Sequence, residues 1–529
     1  MKVQNRLRNI ALLLVISCAC PCAQKLAAQQ PRAPQPSYLS RRINALLSKP
    51  EARRGFWGIV VAQLPSGKVL YQRNADHLFQ PASNMKLFTT AAALELLGPD
   101  FTFRTTVESD AQPDAAGKVG NLFLVGRGDP NISGRDLPYE YDSPNQGPAD
   151  AVLQELAAKI QARGVREVTG DIVADDRYFL YEPFSHDWSA EDLQWGYGAP
   201  ITALAFNDNA LRLYVAPGEK DGAPAKVRLD PIADYYRLNN RLETSAAGTE
   251  KEVFVERLPG SMTLDVWGEI PLGILEDYDT VAIADPPRLA GELFKRALES
   301  HGIKVGGGVK TLELTRVEAA GQVDPFAPPP GRVVLAEHQS IPLSEEIKIT
   351  DKVSQNLHAE MLLRTLAREK KKFGSLTVGL ELLQEFGSDI GIDPDAIQFA
   401  DGSGLSREAL VTPRAIVKLL VYMNKSPHAK VYFDALPVAG VDGTLGKRFT
   451  RSRVEGRIHA KTGTIDHVNT LSGYMQLPSG RILAFSVMAD NHDMGKWTAP
   501  KELDAVALAI YDAFGGRRRT PVKRKPAPK

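Results

Sequence analysis

Cysteine is nearly absent from this chain. Three of its 529 residues are cysteines, Cys18, Cys20 and Cys22, and none follows position 22. The body of the protein therefore has no disulfide bond, no zinc–thiolate site and no thiol nucleophile. A chain of this length can bury a core large enough to be stable without disulfides.

An excess of charge of one sign is missing as well. Lys and Arg number 64 against 63 Asp and Glu, for a net charge of +1. This balance gives no reason to expect a nucleic-acid partner, which requires a basic surface. The apolar share of 43% and the charged share of 24% are typical of a globular protein, and the length predicts several domains.

The apolar run near the N-terminus is too short to span a bilayer, which takes about 20 residues. Basic residues at positions 2–8 precede the apolar residues 10–16, and small residues follow. This pattern predicts a signal peptide over residues 1–28 and therefore an exported, periplasmic protein. One alternative is processing as a lipoprotein, because residues 15–18 are similar to a lipoprotein box that would place a lipid on Cys18. Another is that these residues form an N-terminal amphipathic helix.

The two ends of the chain carry similar strand patterns. Residues 56–74 predict a hairpin with a Pro-Ser-Gly turn at 65–67, and residues 471–488 predict another with the same turn at 478–480. We therefore expect strands from both ends to share one sheet. Residues 99–315, where short strand-like runs alternate with helical runs, are expected to form inserted α+β modules.

Ser83 and Lys86 stand three residues apart at the start of a predicted helix. The run 87–97 is apolar on nearly every side, and Gly98-Pro99 ends it, which predicts a buried helix. Residues at this spacing share one helix face. Ser83 is therefore a candidate nucleophile, and the free N–H groups of the first helical turn can stabilise an oxyanion.

Lys86 is the candidate base for this serine. Apolar surroundings disfavour the ammonium form and lower the pKa of a lysine. We expect two causes to lower the pKa of Lys86. One is burial, and the other is the positive charge of a second lysine, Lys461, which is expected to face Lys86 across a substrate cleft. Activity should then rise with pH as Lys86 becomes neutral.

Two further motifs follow in the second half of the chain. Ser354-Gln-Asn356 lies between two helical runs, and His459-Ala-Lys461-Thr-Gly-Thr464 has the pattern of a strand. Lys461 supplies positive charge, Thr462 and Thr464 supply hydroxyls on one face, and Gly463 allows a close approach to the backbone. Each motif alone is weak: Ser354 could be a helix cap and Lys461 an edge-strand lysine.

Together and in this order, the motifs resemble those of the low-molecular-mass class C penicillin-binding proteins, the D-alanyl-D-alanine carboxypeptidase/endopeptidase family. The resemblance runs from about residue 40 to residue 514. It includes several further stretches, Gly126-Arg-Gly-Asp-Pro130, residues 170–179, Ala400-Asp-Gly-Ser-Gly-Leu-Ser-Arg407, residues 436–445 and Leu471-Ser-Gly-Tyr474.

This resemblance implies an α/β multidomain fold. A penicillin-binding/β-lactamase-like serine transpeptidase domain, with an antiparallel sheet between helical layers, is interrupted by two smaller α+β or β domains, one nested in the other. We expect the catalytic domain to comprise residues 29–98 and 316–515, the inserted domains residues 99–315, and a basic disordered tail residues 516–529. The tail is expected to be a solvated end without a function, and the alternative is that it associates with the membrane or the wall.

The resemblance also implies the roles of individual residues. Ser83 would attack the peptide, Lys86 would take its proton, and Ser354 would relay a proton to the departing D-Ala. The expected substrate-binding residues are Asn356, Lys461, Thr462, Gly463, Thr464 and, less directly, Asp175 and Arg407 near the third residue of the peptide. For Asp175 and Arg407 the alternative is an ordinary role in a turn or a salt bridge. Asp466 stands where relatives often have Gln, so the preference for that residue stays open.

The expected partners are peptidoglycan peptides and β-lactam antibiotics, the latter as covalent inhibitors, and the chemistry calls for no metal and no cofactor. Two alternatives remain at this point. One is a β-lactamase or esterase of the same fold, and the other is a non-catalytic wall-binding protein with a vestigial site. The release rate of a penicillin adduct distinguishes all three.

Overall fold

A computed structural model describes residues 37–140, 144–320, 322, 325–326, 331–495 and 497–515. The predicted signal peptide, the three cysteines and the basic tail lie outside these residues, so what we expect of them stays a prediction. Among the helices of the described part, none has the length and apolar character needed to cross a membrane.

The described residues form strands and helices in the following order along the chain. The strands are β1 (Phe56–Gln63), β2 (Lys68–Arg73), β3 (Thr102–Ser109), β4 (Lys118–Val119), β5 (Leu122–Val125), β6 (Glu167–Val168), β7 (Ile172–Asp175), β8 (Ala210–Ala216), β9 (Lys226–Asp230), β10 (Arg237–Ser245), β11 (Glu252–Glu256), β12 (Thr263–Pro271), β13 (Asp277–Ala282), β14 (Lys304–Val305), β15 (Val309–Leu312), β16 (Val333–Pro342), β17 (Ile397–Gln398), β18 (Leu410–Val411), β19 (Ile458–Ile465), β20 (Val468–Gln476) and β21 (Ile482–Asp490). The helices are α1 (Tyr38–Leu47), α2 (Lys86–Leu97), α3 (Ala151–Ala162), α4 (Pro286–Ser300), α5 (Arg316–Ala319), α6 (Leu343–Lys348), α7 (Asn356–Lys371), α8 (Leu376–Asp389), α9 (Pro413–Met423), α10 (Ala429–Ala435) and α11 (Thr498–Phe514).

Strands from both ends of the chain form one antiparallel sheet, in the order β19-β20-β21-β1-β2. β1 pairs with β21 along its whole length, from Phe56 opposite Asp490 to Gln63 opposite Leu483. The predicted sharing of one sheet by the two ends is therefore confirmed.

Helices cover both faces of this sheet. Ile59 and Val61 of β1 pack with α1 and α11 on one face, and Val60 and Ala62 pack with α2 and α9 on the other. This alternation follows from the two-residue period of a strand. Because both faces are buried, β1 is apolar throughout its interior, and the predicted antiparallel sheet between helical layers is confirmed.

The helix α2 lies inside one of these layers. Its residues from Lys86 to Leu94 are all buried. A 3-10 turn, Ala82–Met85, leads into it, and Gly98 ends it with a φ of 88°, which a residue without a Cβ adopts at little cost. The helix is buried on every side, as its sequence predicts, so the side chains at its start face a protein interior.

The inserted part of the chain leaves and returns through two paired strands. β3 and β16 are antiparallel neighbours, with Thr102 opposite Pro342 and Ser109 opposite Val333, in a sheet ordered β15-β7-β5-β3-β16. β16 lies beyond the boundary at 315 that we expected from the sequence. Because β16 belongs to the inserted sheet, we propose that the catalytic domain resumes after Pro342.

Smaller sheets occupy the middle of the insertion. Strands β8 to β13, which fall between β7 and β15 in the chain, form two three-stranded sheets, β10-β12-β11 and β13-β8-β9. We propose on this basis that one inserted module is nested within the other. A cluster formed by Phe179, Trp188, Ile201, Leu357 and Met361 packs the insertion against α7, the helix that begins at Asn356.

Candidate active site

Ser83 lies in the 3-10 turn that leads into α2. The preceding residue, Ala82, has a φ of 45°, which is unfavourable for a residue with a side chain. Two glycines allow other segments to pack against this turn. A Cβ on Gly404 would lie 1.8 Å from the carbonyl oxygen of Ala82, and a Cβ on Gly463 would lie 2.9 Å from that of Pro81. These close approaches hold Ser83 in place.

The amine of Lys86 contacts three acceptors. Its Nζ lies 3.0 Å from Ser83 Oγ, 2.6 Å from Asn356 Oδ1 and 2.8 Å from the carbonyl oxygen of Ser403. A neutral amine has two N–H donors and one lone pair. It can donate to Asn356 and Ser403 and still accept the hydroxyl proton of Ser83. The geometry therefore suits proton transfer from Ser83 to Lys86.

Burial lowers the pKa of Lys86 from 10.5 to about 8, while the negative charges of Asp401, Glu360 and Asp351 oppose this shift. The expected effect of burial is thus present. Two nearby like charges each disfavour the charged form of the other, so the expected effect of Lys461 on the pKa of Lys86 stays a prediction. The influence appears on the other lysine: burial, and after it the charge of Lys86, lower the pKa of Lys461, while Asp351 opposes.

The two polar residues of the Ser354-Gln-Asn356 motif contact different lysines. Ser354, in the left-handed region with a φ of 68°, accepts a hydrogen bond of 2.8 Å from the Nζ of Lys461. Asn356 accepts one from Lys86 and donates one of 2.9 Å to the carbonyl oxygen of Tyr197. The Ser354-Gln-Asn356 segment, which ends at the first residue of α7, therefore contacts both Lys86 and Lys461 as well as the inserted part of the chain.

Strand β19 lies directly against the nucleophile's turn. Asn84 donates a hydrogen bond of 3.0 Å to the carbonyl oxygen of Lys461. The hydroxyl of Thr462 bonds that of Thr444 at 2.8 Å, and Thr464 Oγ1 accepts from Asn469 at 2.9 Å. The structure thus brings together Ser83, Lys86, Ser354, Asn356 and the whole 461–464 segment.

Arg407 and Asp175 lie in different surroundings. Arg407 donates 3.2 Å hydrogen bonds to the carboxylate and the carbonyl oxygen of Asp466, just beyond β19, so it lies at the border of the site. Asp175 ends β7 within the insertion, where Arg177 and Arg332 bind its buried carboxylate. Because two arginines neutralise its charge there, we propose that Asp175 supports the insertion and does not bind substrate.

Two carboxylates that the sequence analysis does not identify, Glu360 and Asp401, also contribute to the site. Glu360, one turn after Asn356 on α7, accepts from the backbone N–H groups of Gly402 and Ser403 at 2.9 and 2.8 Å. Asp401 accepts from the N–H of Gly404 at 2.7 Å. These two carboxylates shape the loop whose Ser403 carbonyl binds Lys86. The signal was the Ala400–Arg407 stretch, in which only Arg407 was given a role.

The architecture and this centre define a class: a serine enzyme with the fold of the penicillin-binding proteins, in which a half-buried serine and a buried lysine face a Lys-Thr-Gly strand. Within that class, the chain belongs to the D-Ala-D-Ala carboxypeptidase 3 family, whose model matches residues 39–509.

Individual relatives are similar over most of their length. A D-alanyl-D-alanine carboxypeptidase of an Actinomadura species is 38% identical over 484 residues, which are 89% of this chain and 85% of the relative. A penicillin-sensitive carboxypeptidase A of Dictyostelium discoideum is 27% identical, with 82% and 83% covered. The crystal structure of penicillin binding protein 4 from Haemophilus influenzae shares the fold, with a TM-score of 0.75 at 23% identity, covering 90% of this chain and 99% of that one.

Proposed function

We propose that this protein is a serine D-Ala-D-Ala carboxypeptidase/endopeptidase that cleaves peptidoglycan stem peptides and cross-links through an acyl-serine intermediate. The observation that carries the proposal is the contact of 3.0 Å between Lys86 Nζ and Ser83 Oγ, in which burial lowers the pKa of Lys86 to about 8. A buried lysine with such a pKa is an effective general base near neutral pH.

The reaction begins with attack of Ser83 Oγ on the penultimate D-Ala carbonyl while neutral Lys86 takes the hydroxyl proton. The backbone N–H groups of Ser83 and Thr464 would bind the oxyanion. When the peptide bond breaks, Ser354 passes a proton to the leaving amine and recovers one through the neighbouring lysines. Water then attacks the acyl-serine in the same way as Ser83 attacked the peptide. This step releases the shortened peptide with a free carboxyl group.

Lys461 would bind the terminal carboxylate, with Thr462, Gly463 and Thr464 along the same strand. A carboxylate beside Lys461 favours the ammonium form, because an opposite charge stabilises the charged state. The neutral acceptor Asn356, which bonds Lys86 in the free protein, would hold the peptide amide. The Ser354-Gln-Asn356 segment contacts both lysines, since Asn356 accepts a hydrogen bond from Lys86 and Ser354 accepts one from Lys461 on β19.

Penicillins are proposed as covalent inhibitors of the same serine. Their strained amide would acylate Ser83, and the ring-opened leaving group would stay attached and block water. Two relatives support this: the name of the Dictyostelium protein states penicillin sensitivity, and the Haemophilus protein has been crystallised with a β-lactam.

Labelling with a fluorescent penicillin tests the proposal. We expect a slowly released adduct on Ser83 and hydrolysis of a peptide that ends in D-Ala-D-Ala. Rapid turnover of the penicillin without peptide hydrolysis would instead identify a β-lactamase or esterase. Absence of an adduct would identify a binding protein with a vestigial site.

We infer that the protein acts in the periplasm, where its proposed substrate lies. The predicted signal peptide supports this inference. The mass of the mature N-terminus distinguishes the two processing routes: cleavage before Gln29 leaves an unmodified chain, and the lipoprotein route leaves a lipid on Cys18. Membrane or wall association through the basic tail is tested by removing residues 516–529 and following sedimentation with cell envelopes.

A further inference from the structure

A cleft of about 520 Å³ opens beside Ser354, between the inserted part of the chain and the catalytic domain. The inserted sheet β13-β8-β9 contributes Arg212, Tyr278 and Thr280 to its wall, and the catalytic side contributes Ser354 and Thr444. This volume is within the range of about 300–1,000 Å³ that is usual for small-molecule sites. The cleft is distinct from the border of the site marked by Arg407.

The cleft adjoins the groups that would handle the leaving amine. Ser354 Oγ lies 2.8 Å from Lys461 Nζ, and Thr444 Oγ1 lies 2.8 Å from Thr462 Oγ1. Under the proposed function, the terminal carboxylate lies at Lys461 and Thr462, and Ser354 protonates the leaving amine. A single D-Ala ends there. A longer leaving group extends past Ser354 and Thr444 into the cleft.

The cleft carries an unbalanced positive charge. Two of its cations are neutralised, since Lys352 pairs with Asp442 and Arg135 with Asp208. Arg212 contacts the hydroxyl of Tyr214 at 3.3 Å, and its guanidinium lies 5.5 Å from the ring centre of Tyr278. Within the described part of the chain, no carboxylate lies within ion-pair distance of Arg212. A half-buried guanidinium with this setting suits a carboxylate ligand.

We propose that this cleft binds the acidic leaving peptide of a cross-link and that Arg212 binds a carboxylate on that peptide. The inference rests on the proposed function, and it assigns the two activities to different contacts. Removal of a terminal D-Ala uses Ser83, Lys86, Ser354, Asn356 and the 461–464 strand, but not Arg212. Cleavage of a cross-link uses Arg212 as well.

The test compares three reactions in Arg212→Gln and the parent: cleavage of a purified cross-linked stem-peptide dimer, removal of D-Ala from a linear pentapeptide, and acylation by penicillin. We expect kcat/KM for the dimer to fall at least tenfold, mainly through KM, because ground-state binding is lost. The other two rates should stay within about twofold. Arg212→Lys, which keeps the charge but loses the planar fork, should fall between the two.

Arg228→Gln is the matched control. Arg228 lies on the neighbouring strand β9, pairs with Glu276 and is not part of the cleft wall, so its loss should leave dimer cleavage unchanged. An equal fall of all three reactions in a folded Arg212→Gln protein would overturn the inference, as would unchanged dimer cleavage or a parent protein that cleaves no dimer. A parent that is not acylated by penicillin would overturn the proposed function itself.

Discussion

Helix α7 connects two buried cationic centres whose pKa values are shifted in opposite directions. Asn356, at its first residue, accepts a hydrogen bond from Lys86. His358, two residues later, lies between Glu346 at 2.8 Å and Asp208 at 3.1 Å. Burial lowers the pKa of Lys86 to about 8. The pKa of His358 rises to about 9 because the two carboxylates outweigh its burial.

The direct hydrogen-bond partners explain the difference. Both side chains are fully buried, which disfavours the charged form of each. Lys86 contacts only uncharged groups, a hydroxyl, an amide and a carbonyl, and its carboxylates act from further away. His358 has a carboxylate on each ring nitrogen. Lys86 therefore loses its proton readily and can act as a base, whereas His358 retains its own proton.

The His358 cluster also joins two parts of the molecule. Glu346 and His358 belong to α6 and α7, while Asp208, Arg135 and Asn131 belong to the insertion. Arg135 binds Asp208, and Asn131 binds Glu346. Lys86 and its hydrogen-bond partners therefore serve catalysis, and His358 and its partners serve stability. Substitutions around Lys86 should change the acylation rate, and substitutions around His358 should change the free energy of unfolding.

The largest effect is expected at the nucleophile. Ser83→Ala should abolish covalent labelling by penicillin and leave the free energy of unfolding unchanged within about 0.5 kcal/mol, because a half-buried hydroxyl is removed without a cavity. Intact-protein mass spectrometry with a denaturant titration measures both. A retained adduct would remove Ser83 from the mechanism.

The second effect is one of stability. His358→Gln removes the cation beside Glu346 and leaves Arg135 as the cation beside Asp208, so it should lower the free energy of unfolding by roughly 3–5 kcal/mol. Acylation by the folded fraction should change less than threefold. His186→Gln, at an exposed histidine, is the matched control and should change neither quantity.

This stability term should depend on pH with a defined sign. The folded-state pKa of His358 is raised from 6.5 to about 9, so the folded protein holds more protons between these values. Its contribution is fully present below about pH 6.5 and is lost as the pH rises through about 9, an amount of roughly 3 kcal/mol. The gap between parent and His358→Gln should narrow over that range, and a gap that widens would contradict the arrangement.

The third effect concerns the second lysine. Lys461→Ala should lower kcat/KM for a peptide ending in D-Ala-D-Ala at least tenfold, about 1.4 kcal/mol of transition-state stabilisation, because the terminal carboxylate loses its cation. The control is Lys430→Ala, which removes an exposed lysine that pairs with Asp434 on α10 and should leave this rate unchanged. A smaller fall in Lys461→Ala would remove Lys461 from carboxylate binding.

The smallest effect is expected at the exposed edge of the site. Asp466→Asn breaks the pair with Arg407. The side chain of Arg407 is 46% exposed and that of Asp466 is 86% exposed. Exposed pairs contribute about 0–1 kcal/mol, so the unfolding midpoint should hardly move. A large loss of stability would show that the exposed Arg407–Asp466 pair contributes as much as the buried pairs of His358, which would contradict the account.

Much of the catalytic centre could be predicted from the sequence, because its motifs are local. The positions of Ser83 and Lys86 follow from helix spacing, and Lys461 follows from a strand pattern. Glu360 and Asp401 were missed because each is a single acidic residue whose role depends on contacts that its own motif does not reveal. The Ala400–Arg407 stretch marks the loop that contains Asp401, but it does not show which of its side chains holds the loop, and no motif marks Glu360.

The limits of the insertion were harder to predict for the same physical reason. The alternation in β16 indicates a strand but not its partner, and pairing with β3 moves the proposed boundary beyond 315. The prediction that Asp175 binds substrate follows from the family resemblance alone, and a matching motif gives no distance between Asp175 and the catalytic residues. In the structure its carboxylate pairs with Arg177 and Arg332.

The most direct test of the central claim is the pH dependence of Ser83 acylation by a β-lactam that does not titrate between about pH 6 and 9. If Lys86 must be neutral to accept the proton, the rate rises with pH and has its midpoint near the pKa of about 8 that burial gives this lysine. A rate that is flat across this range, or one that falls as the pH rises, would contradict the assignment of Lys86 as the base.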